Sequence, residues 1–319
     1  MTTLLIIGGT GFFGKSILDF FQRGGLDRWG VDRILAMSRN VEAIKTEAPS
    51  LLSSRVELVS ADITTTQELP SADYVIYAAA STDARNYLNH PAKERNNIQA
   101  GMLNYCRLAK KFHSKSKIIF TSSGAVYGGQ SESESTLSED SYLNSIQNIQ
   151  HQKYDYAIAK QDAENSIRRL GSEGLSVSIA RCFAFVGPWL PRNQHFAIGN
   201  FIEDGLTKRP ITVKATHRVY RSYMYADDLV EWLMTIAEHS NDKCPTFNVG
   251  SDQAILMGDL AKMIGEEFGE RTDVPEIINS NIDRYVPSIQ RIRQQLGVEL
   301  KYDLISAIKT TIFRIRSNV

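Results

Sequence analysis

The amino-acid sequence predicts a doubly wound α/β fold, a parallel sheet followed by a smaller C-terminal α/β lobe, on three observations. Short apolar runs alternate with longer segments of helical period up to Ala180. Glycines crowd the end of the first apolar run, at Gly8, Gly9, Gly11 and Gly14. Beyond Arg181 the pattern loosens, with Pro188, Pro191, Pro210, Pro245, Pro275 and Pro287 interrupting short elements.

Taken in order, Leu4–Gly8 reads as a strand buried on both faces, because such strands lose the alternation of polar and apolar residues. Gly14–Arg23 follows as an amphipathic helix. Arg33–Met37, Val56–Val59, Tyr74–Ala78, Lys117–Thr121 and Ser176–Ala180 repeat the strand pattern, and Lys93–Phe112 and Tyr154–Leu170 repeat the helical one. Strand and helix in alternation imply right-handed crossovers, hence parallel strands covered on both faces and ligands at their carboxyl ends. Ser131–Asp140, SESESTLSED, is polar, acidic and without period, and is expected to be a solvated loop.

Composition removes several function classes. Lys plus Arg equals Asp plus Glu at 36 each in 319 residues, so no excess charge draws the chain to nucleic acid or an anionic membrane. The apolar start Leu4–Ile7 is too short to span a bilayer and runs into glycines rather than a cleavage site, which predicts a cytoplasmic protein. Cys106, Cys182 and Cys244 are odd in number and widely spaced, so neither a disulfide framework nor a metal site is expected.

Two stretches carry chemistry. LLIIGGTGFFG sets a strand, a glycine turn and a helix in succession, which lets backbone N–H groups approach a pyrophosphate closely. The same stretch also satisfies the P-loop pattern through Gly9, Gly14, Lys15 and Ser16, with Lys15 on phosphates and Ser16 on magnesium. The loop alone does not separate the two. Further on, Tyr156-Ala-Ile-Ala-Lys160 places a phenol and an ammonium on one helix face. An ammonium beside a phenol favours the phenolate, which would bring a pKa of about 10 toward the range of a general acid/base. A surface pair has the same spacing. Here, however, the pair follows a strand that ends Thr121-Ser122-Ser123 and delivers hydroxyls to the carboxyl edge of the sheet.

With these residues the sequence resembles the extended short-chain dehydrogenase/reductase family of nucleotide-sugar epimerases, dehydratases and reductases, over nearly the whole chain. GGTGFFG is similar to the family's GxxGxxG, Ala61-Asp62-Ile63 to its adenine-contacting segment, and Tyr77-Ala78-Ala79-Ala80 to the strand end beneath the nicotinamide. SSGAVYG and YAIAK match the catalytic Ser123, Tyr156 and Lys160, and Asn97 in ERNNIQAG matches the active-site asparagine. Arg181–Pro188 is similar to RxFNVYGP, Arg221–Leu229 to RxFxxVxDL, and Phe247–Ser251 to the YNVG strand. The resemblance displaces the P-loop reading. It implies a Rossmann dinucleotide-binding domain over residues 1–180 plus about 215–250, and a nucleotide-sugar lobe over about 181–214 plus 251–319.

The implied roles follow. Gly8, Thr10, Gly11, Phe12, Phe13, Gly14, Asp62, Ile63, Ala78, Ala79, Ala80, Tyr156, Lys160 and Phe183 would meet the cofactor. Tyr156 would exchange a proton with the sugar, Ser123 would hydrogen-bond the same oxygen, and Lys160 would hold the nicotinamide ribose. Arg221 would grip the diphosphate, with Asn193 and His195 in the nucleotide wall. At the end of the second strand Ser38-Arg39 replaces the acidic residue that accepts from a ribose 2′-OH, which suits a 2′-phosphate and favours NADP over NAD. Gly124 and Ala125 stand where the family's dehydratases carry Asp-Glu, so dehydration is not expected. The expected activity is reduction of a nucleotide-linked 4-keto-6-deoxyhexose, with a 4-epimerase as alternative and a catalytically silent dinucleotide sensor as the reading from another class. A homodimer through the Lys93–Phe112 and Tyr154–Leu170 helices is implied by the same resemblance.

Overall fold

A seven-stranded parallel sheet forms the centre of the protein, in a computed structural model that describes residues 1–80, 89–141 and 151–317. In chain order the described strands are β1 (Thr2–Ile7), β2 (Val31–Ser38), β3 (Val56–Ser60), β4 (Tyr74–Tyr77), β5 (Lys117–Ser123), β6 (Ser176–Cys182), β7 (Phe185–Val186), β8 (Ile211–Thr212), β9 (His217–Arg221), β10 (Met224–Tyr225), β11 (Thr246–Val249), β12 (Ile255–Leu256), β13 (Thr272–Asp273) and β14 (Asn279–Tyr285). The helices are α1 (Phe12–Gln22), α2 (Glu42–Glu47), α3 (Pro91–Phe112), α4 (His151–Ser172), α5 (Ala197–Leu206), α6 (Ala226–Glu238), α7 (Met257–Phe268), α8 (Gln290–Leu296) and α9 (Leu304–Arg316).

The large sheet runs β11-β6-β5-β4-β1-β2-β3, so the strand order reverses between β1 and β4. That reversal opens a crevice at the carboxyl ends of the strands, where ligands bind in open α/β sheets. Alternation along β1 shows why its run is apolar throughout. Leu4 and Ile6 enter a layer shared with α1 and α6, while Leu5 and Ile7 enter the opposite layer shared with α3 and α4. A third apolar layer joins α5, α7 and α9 in the C-terminal lobe.

The chain moves between the two regions more than once. The β9 strand pairs with β12 and β14 in a small three-stranded sheet, whereas α6 and β11 return to the large sheet, with β11 beside β6. Five elements start earlier than the sequence expectation, the first and third helices among them. The first helix begins at Phe12, so Gly14 lies inside it rather than at its head. The third begins at Pro91, which occupies the first turn, where a missing N–H is no loss.

Part of the acidic stretch is a correction. Leu137 is 2% exposed and bridges to Pro287, its N–H donating to Val286 O at 2.9 Å. Glu139 accepts from the Asn248 backbone N–H at 2.7 Å, and Asp140 pairs with Arg291. Residues 137–140 are therefore a strap clamped between β11 and α8 rather than a solvated loop. One apolar anchor in a polar run leaves no periodic signal, which is why the pattern missed it.

Candidate functional site

The glycine loop is shaped by close backbone packing. Gly8 has φ +100°, and a Cβ there would lie 2.7 Å from Ala78 O. Gly8 and Gly9 both donate to Met37 O at 2.9 Å, and Gly14 packs so near that its Cβ would meet Gly9 O at 2.2 Å. Gly11 differs: it is exposed, and a Cβ there would find only Gly8 O, at 3.4 Å. It caps α1 without a side-chain hydrogen bond, and the first turn holds no acidic residue. The first N–H groups of a helix have no partner within it, so the loop offers open donors at the positive end of a helix dipole. That geometry fits the pyrophosphate of a dinucleotide.

Around it the residues expected at the cofactor converge in part. Thr10 donates to Ser38 at 2.8 Å, tying the loop to the end of β2. Arg39 is exposed, and its charge helps hold the Asp62 carboxyl below its usual range, after the two hydrogen bonds from Thr64 and against desolvation, the largest influence. Ile63 is buried under α3. The Ala78 and Ala79 backbone lies against Gly8, with half-buried Ala80 next along the chain. Phe12 and Phe13 form an aromatic group with Phe185. Lys15 pairs with Glu47 at 2.9 Å, which turns it toward α2 and leaves the P-loop reading without its phosphate-binding lysine.

At the end of β5, Ser123, Tyr156 and Lys160 come together. Ser123 Oγ accepts from the Ala125 N–H at 3.1 Å, and the Tyr156 hydroxyl lies on the same side of the site as that side chain. Lys160 is 4% exposed, and its Nζ donates to Thr121 O at 2.9 Å, 5.8 Å from the centre of the Tyr156 ring. Burial pushes Lys160 down to about 8, opposed by Cys182 and Glu164. Tyr156 is pushed up to about 12 by burial of its hydroxyl end, opposed by the neighbouring Ser123 hydroxyl. This corrects the expectation that Lys160 draws the phenol pKa down: the ammonium is aimed at a backbone carbonyl, and desolvation dominates. Asn97 is half-buried on α3.

The substrate side is less converged. Arg221 is held by Asp283 at 2.7 Å and by the carbonyls of Tyr220 and Asp283, which engage three of the five N–H donors of its guanidinium within the protein. Asn193, with φ +64°, and His195, stacked on Phe196, lie on the exposed loop before α5. Phe183 stands beside Gly124, its ring 4.7 Å from that of Tyr285.

Two site residues escaped the sequence reading. Glu164, fully buried one turn beyond Lys160, binds Arg181 through both oxygens and accepts from Ser122 at 2.6 Å, anchoring the helix that carries the Tyr/Lys pair. The spacing of four from Lys160 was its available signal. Tyr285 brings its hydroxyl from β14 to Gly124, next to Ser123, and no local pattern connects segments so far apart. Among the described residues there is no cluster able to hold a metal ion, and no helix long and apolar enough to cross a membrane.

Comparison with known proteins agrees with this geometry. The UDP-glucuronic acid decarboxylase 1 of Arabidopsis thaliana is 25% identical over 99% of this chain and 70% of its own length, and that of Xenopus tropicalis is 26% identical over 99% and 72%. Among solved structures, a UDP-glucose 4-epimerase from Thermotoga maritima superposes with a TM-score of 0.79 at 21% identity, covering 99% of both chains. The dTDP-glucose 4,6-dehydratase of Streptomyces venezuelae, solved with NAD bound, gives 0.80 at 18% identity over 99% of this chain and 98% of its own. These names overturn the expectation that Gly124 and Ala125 set dehydration aside, since decarboxylases and a dehydratase stand among the similar proteins. The physical reason lies in the site: Tyr285 arrives from a distant strand, so the two positions after Ser123 do not exhaust the groups that can act on a substrate. The sequence profile of the NAD dependent epimerase/dehydratase family matches residues 4–250, and with the glycine loop and the Ser123, Tyr156 and Lys160 cluster in place, the chain belongs to that family of nucleotide-sugar enzymes.

Proposed function

We propose that the protein reduces a nucleotide-linked 4-keto-6-deoxyhexose with NADP(H). The observation that carries this reading is the meeting of Ser123, Tyr156 and Lys160 on the same sheet edge as the open glycine loop. The dinucleotide, when bound, supplies the hydride to the sugar carbon. Tyr156 then serves as the acid. Held near 12, it is protonated at neutral pH, the state that donation to a developing alkoxide requires. Ser123 would hydrogen-bond the same sugar oxygen, and Lys160, mostly ammonium below pH 8, would hold the ribose of a bound dinucleotide. Asn97 on α3 completes the proposed catalytic set.

The choice of NADP rests on Ser38 and Arg39 at the end of β2, where no carboxylate stands to meet a ribose 2′-OH. NADPH is expected to bind more tightly than NADH to the emptied protein, and Arg39→Ala to erase most of the difference. A charge-assisted phosphate contact is worth about 1.5 to 3 kcal/mol, or roughly tenfold to a hundredfold in affinity. Equal affinities for the two cofactors would remove the NADP assignment.

A 4-epimerase that retains NAD is the second reading, favoured by the UDP-glucose 4-epimerase and the NAD-bound dehydratase among the proteins of similar structure. Mass spectrometry of the denatured protein separates the two. Co-purified NAD, with no net NADPH oxidation on a panel of nucleotide-linked keto-sugars, would replace the reductase by the epimerase.

A further inference from the structure

A cavity of about 450 Å³ lies where the end of α1 and the start of α6 meet α9. None of its lining residues is among those assigned to cofactor or substrate. Its volume falls within the roughly 300 to 1,000 Å³ of small-molecule sites. A chain of ion pairs runs through the wall. Asp227 holds Arg23 through both oxygens, at 2.6 and 3.0 Å, Arg23 reaches Asp19 at 3.1 Å, and Asp19 binds Arg314 at 2.5 Å. Two carboxylates thus meet two guanidiniums, and the wall carries no net charge.

Two polar atoms of that wall are orphans. Tyr225 is 1% exposed and Arg314 8%, and among the described residues neither Tyr225 Oη nor Arg314 Nη1 has a hydrogen-bond partner. They are neighbours, close enough for the Arg314 charge to act on the phenol, with no hydrogen bond joining them. Buried polar atoms nearly always find partners, so two orphans side by side on one cavity wall need a reason. Aromatic rings lie beside them. The Tyr225 ring stands 4.4 Å from that of Tyr302, and Phe313 lines the cavity from the exposed face of α9.

We propose that this cavity is a second binding site, suited to a planar, uncharged ring whose edge sets a carbonyl beside an N–H, the lactam edge of a uracil-like heterocycle. Arg314 Nη1 has only protons to offer and would give one to the carbonyl. Tyr225 Oη can accept from the adjacent N–H and still keep its own proton for a second acceptor. The ring body would lie along Tyr302 and Phe313, where contact between aromatic rings is favourable. Charge narrows the ligand class as much as hydrogen bonding does. Asp19 and Asp227 oppose an anion, Arg23 and Arg314 oppose a cation, and each charge of the wall is already matched by its partner. A diphosphate is disfavoured on the same ground, which separates this site from the one proposed for the sugar nucleotide.

Titration calorimetry of uridine into the protein, with NADPH and dTDP in excess to occupy the other nucleotide sites, is expected to show one further site per chain. Tyr225→Phe removes one orphaned oxygen and should weaken uridine roughly threefold to tenfold. Its Tm should not fall, since the hydroxyl gains no bond on folding. Thr310→Trp places a large ring in the cavity that Thr310 lines and should abolish the binding. Benzoate and benzamidine, charged rings of similar size, should bind about tenfold or more weakly than uridine. Absence of saturable uridine binding, or binding that either variant leaves unchanged, would overturn the site. A Tm lowered by Tyr225→Phe would show that the hydroxyl is already partnered and would overturn it too, while a charged ring that matches uridine would overturn the neutral class. No turnover is read, so an inactive protein leaves the test standing, and its failure leaves the reading of Tyr156 untouched.

Discussion

Lys160 opposes its own surroundings. An ammonium 4% exposed, with its pKa brought down to about 8, destabilises the folded state wherever it must stay charged. Below pH 8 the group is charged folded and unfolded, so the whole penalty is present. Between about 8 and its ordinary 10.5 the folded protein sheds a proton that the unfolded chain keeps, and stability rises with pH. Lys160→Met is therefore predicted to stabilise the cofactor-free protein at pH 7 by about 2 kcal/mol, an advantage that fades by pH 10, while weakening dinucleotide binding. Thermal melts across pH check it, and a Tm lowered at pH 7 would show that the bond to Thr121 outweighs desolvation. Individual residues were unevenly legible in the sequence. Tyr156 and Lys160 announced themselves because a helix turns four-residue spacing into a shared face. The direction of the Tyr156 shift did not, because desolvation depends on what packs around a group. Tyr285 was invisible because the strand that carries it is far from Ser123 and Gly124 in sequence.

At the scale of elements, the join between β1 and α1 separates structure from binding. Gly14→Ala would drive a Cβ to 2.2 Å from Gly9 O, so it should both lower Tm and abolish dinucleotide binding. Gly11→Ala meets only Gly8 O, at 3.4 Å, and is predicted to leave Tm within about 1 °C while weakening binding at least tenfold, by filling the face that a pyrophosphate approaches. Calorimetry and fluorescence titration of the two variants distinguish them; equal loss of Tm in both would contradict the assignment. The strap at 137–140 offers a parallel case. Leu137→Ala removes a buried anchor and should cost about 2 to 5 kcal/mol, an effect that composition alone would assign to no part of an acidic loop. Strands and helices of the large sheet were readable from period, whereas this strap and the two-residue strands of the C-terminal lobe were not. Their stability comes from partners distant in sequence rather than from a local pattern.

For the molecule as a whole, the alternation of elements and the reversal of strand order fix where a ligand must bind; the sequence conveyed the alternation, and the structure supplies the order. Assembly is a separate matter. We propose a homodimer through α3 and α4, where Leu103 stands 63% exposed on the outer face of α3. Leu103→Asp should then yield a monomer by sedimentation, and an unmodified protein already monomeric at micromolar concentration would refute it. The central claim, that Tyr156 performs the proton transfer of a nucleotide-sugar oxidoreductase, meets its most direct test in Tyr156→Phe, which removes one oxygen and almost no volume. Measured beside the unmutated protein on a nucleotide-linked keto-sugar, the variant is predicted to lose at least a hundredfold in kcat with dinucleotide affinity nearly unchanged. Turnover within a few-fold of the unmutated rate would contradict the account.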